Sequence, residues 1–163
     1  MNQVVLSPVE IAHSIKTFEW ICDPDFREKF MVRGDVNWKT HLSYFENLIN
    51  DPAQQAYAIY LDDSHVGNCG FKHMDFNSLT AEIWLYIGYE KSRGAGVASK
   101  ALKDLITNKM QDFKLINVYV HVAEDNHYAK RLYIKNGFYE CGEPSEEWQD
   151  RSIKMLRLER KRP

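Results

Sequence analysis

Between Tyr89 and Val97 the chain reads Tyr-Glu-Lys-Ser-Arg-Gly-Ala-Gly-Val, and then Val97, Ala101, Leu102, Leu105 and Ile106 recur at helical spacing up to Met110. A glycine-containing loop that opens directly onto a helix is suited to hold an anion. The first amides of a helix lack partners within it and the dipole adds about half a positive charge, so a phosphate needs no dedicated basic side chain there. Gly94 and Gly96 let the backbone approach a pyrophosphate closely, because no Cβ intervenes. The spacing fits neither G-x-x-x-x-G-K-[ST] nor G-x-G-x-x-G; what stands there is Arg93-x-x-Gly96-x-Ala98. The loop is fed by Ala81 to Gly88, a segment rich in β-branched and aromatic residues that reads as a buried strand. Alternation puts Glu82, Trp84 and Tyr86 on one face of it. Glu82 is then either a base or an ordinary carboxylate at a solvated strand start.

A second pattern follows. Ile116 to Val122 alternates as a strand, and after it comes Asn126-x-x-Ala129-x-x-x-Tyr133-x-x-x-Gly137-Phe138. Asn126 suits a helix cap and Gly137 a helix exit. Together the two patterns, spanning Ala81 to Gly142, resemble the GCN5-related N-acetyltransferase (GNAT) superfamily. The resemblance implies an α/β (α+β) fold with a mixed, mostly antiparallel sheet of about seven strands and flanking helices. Its fourth and fifth strands splay to admit the pantetheine arm of acetyl-coenzyme A. It also implies that the backbone of Leu85, Tyr86 and Ile87 pairs with that arm, and that the amides of Gly94, Ala95, Gly96, Val97, Ala98 and Ser99 receive the pyrophosphate. Arg93 would add charge or brace the loop, and Asn126 would cap its helix or bond the arm. Direct acetyl transfer to an amine is implied, with Tyr133 as general acid and Glu82 as base, directly or through water. His73 and Asp75 are reserves, and His121 is expected to be a satisfied core histidine. Cys69 and Cys141 stand in no readable nucleophile pattern, and no metal is called for.

The acceptor must be read from the front of the chain. Trp20-x-x-Asp23-Pro24-Asp25-x-Arg27 and Asn37-Trp38-Lys39-Thr40-His41-Leu42-x-x-Phe45 look like a front end shared by two branches of that family. One branch modifies ribosomal protein N-termini; the other acetylates nucleotide-linked 4-amino-deoxy sugars of the pseudaminic acid pathway type, and the Lys39 to Leu42 run is closer to it. Cys22 departs from the pattern. Trp38, His41, His73 and Trp84 are the candidate acceptor contacts. Trp20, Phe30, Trp38 and Tyr44 are candidate walls, and Arg27, Arg33, Lys39 and His41 candidate diphosphate partners. The expected acceptor is a small amine, a nucleotide sugar first; a protein N-terminal or lysine acetyltransferase and a non-catalytic coenzyme-binding module are the alternatives.

Those residues need a scaffold, and 163 residues with 44% hydrophobic content fit one domain over 1–163. A net charge of -2 gives no footprint for nucleic acid or an anionic membrane. Three scattered cysteines suggest a reducing cytoplasm, and neither a leader pattern nor a membrane-length apolar run is found. Periodicity predicts a strand at Val4 to Leu6, then a helix from Ser7-Pro8 to about Cys22 with Ile11, Ile15, Phe18 and Trp20 as its apolar positions. A further helical turn is expected at Asp25 to Phe30, a loop at Met31 to Val36, and a helix from about Asn37 to Asn50 carrying Trp38, Leu42, Phe45 and Ile49. A hairpin follows, Tyr57 to Leu61 with His65 to Met74, and leads to the strand at Ala81. The basic end, Arg157 to Arg162, reads as a solvated tail. Aromatics near the end (Phe138, Tyr139, Trp148) suggest a homodimer as readily as a monomer.

Overall fold

The computed structural model describes residues 3–32, 34, 36–149 and 152–163. Among the described residues, the extended segments form β1 (Val4–Pro8), β2 (Gln55–Leu61), β3 (Ser64–Asp75), β4 (Thr80–Ile87), β5 (Asn117–Ala123), β6 (Tyr139–Glu140) and β7 (Met155–Lys161). They lie in one sheet, ordered β1-β2-β3-β4-β5-β7-β6. Every neighbouring pair is antiparallel except β4 and β5. The helices are α1 (His13–Ile21), α2 (Pro24–Lys29), α3 (Trp38–Asn50), α4 (Val97–Asp104), α5 (Met110–Asp112) and α6 (His127–Lys135). A π-helical turn, Leu105–Lys109, joins α4 to α5.

The pleat of β2 sorts the core into two layers. Tyr57 and Ile59 join Phe71, Ile83, Leu102, Leu105, Met110 and Tyr133 in the larger cluster, while Ala56 and Ala58 meet Phe45 and Leu48 of α3 on the opposite face. Small residues on that second face let α3 approach the sheet.

Two helices bury a different stripe from the one their periodicity predicts. α1 begins at His13 and not at Ser7-Pro8, because β1 runs on through Pro8, which pairs with Tyr57, and the Val9 amide still bonds the Ala56 carbonyl. Its buried face is Ser14, Thr17 and Trp20, whereas Ile11 and Ile15 are exposed. The inward polar groups are satisfied: Asn68 Nδ2 donates to Thr17 Oγ1 at 2.9 Å and to the Tyr86 hydroxyl at 2.7 Å, and His41 Nε2 donates to the Ser14 carbonyl at 2.8 Å. On α3 the buried residues are His41, Phe45 and Leu48, with Trp38 and Ile49 turned to solvent. Asn37 caps α3 by accepting the Thr40 amide at 2.9 Å.

The basic end is no tail. Met155, Leu156 and Leu158 anchor β7 between β5 and β6, and the Arg157 guanidinium lies 3.9 Å from the centre of the Tyr119 ring. The aromatic surplus dissolves likewise, since Phe138 is core and Trp148 is half-buried in a wall described below, leaving Tyr139 exposed.

The feature that positions everything else is the parting of β4 from β5. They pair only at Thr80 with Asn117, Ala81 with Val118 and Glu82 with Tyr119. Beyond Glu82 β4 stays bonded to β3 as far as Ile87 opposite Gly67, so its other edge is left open. No helix of the described residues is long and apolar enough to cross a membrane.

Candidate active site

A cleft of about 700 Å³ fills the opening between the parted strands. Ile83 to Ile87 line one wall and Val120 to Ala123 the other, with Asn126, Tyr128, Ala129, Leu132 and Tyr133 along α6. Leu85, Tyr86 and Ile87 thus border the cleft from the unpaired edge. At one end lie Ser92, Arg93, Gly94 and Ala98.

Gly94 and Gly96 hold left-handed φ values of +81° and +76°, and a Cβ at either would meet nothing within 4 Å. Conformation, not crowding, therefore calls for glycine, and the space in front of the loop is open. Gly96 is the N-cap of α4. Arg93 donates through Nε to the Ile87 carbonyl at 2.9 Å and through a terminal nitrogen to the Gly88 carbonyl at 3.3 Å, so it braces the loop. Ala95 is exposed, Val97 is buried in the core, and Ser99 is half-buried. Asn126 caps α6, its Oδ1 accepting the Ala129 amide at 3.1 Å.

Tyr133 is buried, lines the cleft and packs edge-on to Phe138. Burial pushes its phenol well above the ordinary value, so the proton stays on oxygen. Glu82 is only 2% exposed, which removes the reading of a solvated strand start. Burial disfavours its charge, yet the hydrogen bond from His121 and the Lys72 ammonium outweigh it and hold the carboxyl below the ordinary range. His121 Nδ1 lies 3.1 Å from Oε2 and Lys72 Nζ 3.7 Å from the same oxygen, while Oε1 is buried with no hydrogen-bond partner.

Of the candidate acceptor contacts, Trp84 lines the cleft and stacks on Tyr86. Trp38 and His41 do not: Trp38 packs edge-on against Phe18, and His41 ties α3 to α1 through the Ser14 carbonyl. The rotated stripe of α3 carries both away. His73 is exposed and donates to Glu147 Oε1 at 3.2 Å, beside the cleft and not in its lining. Asp75 accepts the Asn77 and Ser78 amides as a turn former. Trp20 is buried, Arg27 donates to the Ile21 carbonyl, Lys39 is exposed on α3, and Arg33 lies outside the described residues. Phe30 and Tyr44 do line the cleft.

The periodicity missed Lys29, Gln54, Lys72 and Trp148, which also line the cleft. Trp148 stacks on His121 with ring centres 5.7 Å apart, and Lys72 Nζ lies 5.4 Å from its ring centre. Nothing in the local spacing of Trp148 joins it to β3 or β5. Although no metal was expected, His73, Glu82 and Glu147 bring donor atoms within 4.8 Å of one another. Lys72 bridges the two carboxylates at 3.7 and 3.9 Å, a cation already supplied by the chain.

The model of the acetyltransferase (GNAT) domain family matches residues 3–139. Acetyltransferase PseH of Campylobacter jejuni is 24% identical over 121 residues, 74% of this chain and 73% of that protein. A spermine/spermidine N(1)-acetyltransferase of Bacillus subtilis is 32% identical over 75 residues, 45% of this chain and 49% of that protein. Among solved structures, spermidine N-acetyltransferase from Vibrio cholerae in complex with CoA and spermine superposes with a TM-score of 0.84 at 20% identity, covering 98% of this chain and 96% of that one.

Proposed function

From the premise that the chain belongs to the acetyltransferase (GNAT) family and is an N-acetyltransferase that uses acetyl-coenzyme A, we propose that its acceptor is a nucleotide-linked 4-amino-deoxy sugar. The observation that carries this reading is the charge of the cleft. Among the described lining residues the charged groups are Lys29, Lys72, Arg93 and Glu82, and the one carboxylate is already compensated by Lys72 and His121. A polyamine would meet cations, whereas a diphosphate would meet partners. Phe30, Tyr44, Trp84 and Trp148 offer flat faces for a base or sugar ring. The resemblance of the Lys39 to Leu42 run to the sugar-acetylating branch supports the same reading.

In this reading the open β4 edge at Leu85 to Ile87 pairs with pantetheine, and the amides from Gly94 to Ser99 hold the pyrophosphate. The acceptor ammonium gives a proton to Glu82, directly or through water. Its freed nitrogen lone pair attacks the thioester carbonyl carbon, and a β4 amide stabilises the oxyanion. The C–S bond then breaks with its electron pair on sulfur, the Tyr133 hydroxyl proton passes there, and the second proton, lost from the nitrogen, returns to the Tyr133 oxygen through water, leaving an amide and the free thiol. Three free cysteines are compatible with a reducing cytoplasm as the place of action.

The test is thiol release from acetyl-coenzyme A with nucleotide-linked amino sugars, spermidine and N-terminal peptides compared at equal concentration. Turnover is expected with the sugar. Lys29→Ala is expected to raise its KM roughly tenfold, the effect of one charge-assisted hydrogen bond of about 1.5 kcal/mol. A higher kcat/KM for spermidine, unaffected by Lys29→Ala, would replace the sugar by a polyamine.

A further inference from the structure

The cleft contains a hydrogen-bond chain that crosses three segments of the sequence. The Ser145 amide donates to His121 Nε2 at 3.0 Å, and His121 Nδ1 lies 3.1 Å from Glu82 Oε2. A backbone N–H can only donate, so Nε2 must be unprotonated, and a neutral imidazole then carries its hydrogen on Nδ1, aimed at the carboxylate. The side chain of His121 has no exposed surface, and Trp148 stacks on its ring. With Oε2 engaged by His121 and Lys72, the buried Oε1 is the oxygen of Glu82 left without a partner, on a residue that lines the cleft. We propose that His121 is a positioning residue for acetyl transfer: locked in one tautomer by the Ser145 amide, it holds Glu82 through Oε2 and so fixes the orientation of the carboxylate toward the acceptor amine or its relaying water.

This inference rests on the reading of Glu82 as the base. The order of roles resembles a carboxylate oriented by a hydrogen-bonded partner, except that here the imidazole orients and the carboxylate accepts the proton. A satisfied core histidine also has a defined tautomer; what sets His121 apart is that its donor is directed at a carboxylate lining the cleft. The titratable and charged groups around Glu82 are Lys72 and His73 from β3, Tyr119 and His121 from β5, Tyr133 from α6, and Glu147 from the segment before β7. Of these His121 makes the one direct hydrogen bond to Glu82 found among the described residues, whereas Lys72 Nζ stands 3.7 Å away, so loss of His121 should loosen the carboxylate most.

The experiment measures kcat, KM and pH profiles of Glu82→Gln, His121→Phe, His121→Asn and Ser145→Pro, with the histidine tautomers read by 15N NMR. Ser145 has φ of -60°, the value proline imposes, so Ser145→Pro deletes the amide hydrogen without opposing the local backbone. The wild-type His121 is expected in the Nδ1–H form. His121→Phe is expected to lower kcat about tenfold, to leave the KM for acetyl-coenzyme A unchanged and to move the acid limb to higher pH, since the carboxylate loses its donor. His121→Asn keeps an N–H near the Nδ1 position and should restore most of kcat and the acid limb. Ser145→Pro should release the tautomer and lower kcat in step. If Glu82→Gln left kcat and its acid limb intact, the reading of Glu82 as base would fail and the inference with it. If Glu82→Gln abolished turnover while His121→Phe kept the wild-type kcat and acid limb, the positioning role alone would be overturned. A wild-type Nε2–H tautomer would overturn it too, as would a kcat lost in His121→Phe and not regained in His121→Asn.

Discussion

Glu82 and Tyr133 share one cleft and are driven in opposite directions by their surroundings. The carboxyl is held ionised below its ordinary range and the phenol is kept protonated above its own. On the proposed assignment, that split keeps the base ionised and the acid protonated before the transfer. Tyr133→Phe is expected to lower kcat roughly 100-fold with little change in the affinity for acetyl-coenzyme A, measured by steady-state kinetics and calorimetry. The sign of the acid dependence follows from Glu82. A depressed carboxyl contributes stability above the ordinary glutamate range and loses it as pH falls through its lowered folded value, so the acid limb of activity should lie at or below that ordinary range. Sequence spacing reached Tyr133, Asn126 and the loop glycines because each lies within a few residues of the turn or helix that aims it. It did not reach Lys72 and Trp148, which meet at the cleft from β3 and from the segment before β7, contacts that only the folded sheet creates.

At the level of elements, two glycines act for different reasons. Gly96 holds a left-handed φ in open space, so Gly96→Val should cost about 1–2 kcal/mol from backbone strain and raise the KM for acetyl-coenzyme A. Gly88 is a close approach: a Cβ there would lie 2.0 Å from the Trp20 indole. Gly88→Ala should therefore destabilise by about 1–3 kcal/mol through overpacking, read as a lower midpoint in urea. The β2-β3 hairpin and the β4-loop-α4 unit were legible because alternation and turn chemistry are local, whereas β7, whose place between β5 and β6 is set by distant pairing, read as a tail. The buried stripes of α1 and α3 were not, since Thr17 turns inward to meet Asn68 and His41 reaches across to the Ser14 main-chain carbonyl, and a pattern of apolar residues cannot announce a polar contact. That rotation is why Trp38 and His41 left the candidate site.

Across the whole molecule, acid should loosen the front layer first. Burial lowers the pKa of His13, His41 and His65, which lie on or beneath α1 and α3. Groups depressed in the folded state bind protons more readily when unfolded, so stability should fall as pH drops through the ordinary histidine range and downward. The melting temperature is expected to decline between about pH 7.5 and about pH 5.5, and His41→Asn should flatten part of that slope.

The parting of β4 from β5 leaves the main-chain groups of alternate residues between Ile83 and Ile87, those not bonded to β3, facing a slot instead of a neighbouring strand. Such an edge is a template for another backbone, but here it is recessed, so only a slender thread can reach it. Deuterium uptake at the slot-facing amides among Leu85 to Ile87 should be quick in the free protein and slow sharply once the coenzyme arm lies alongside, making the sheet its own reporter of occupancy.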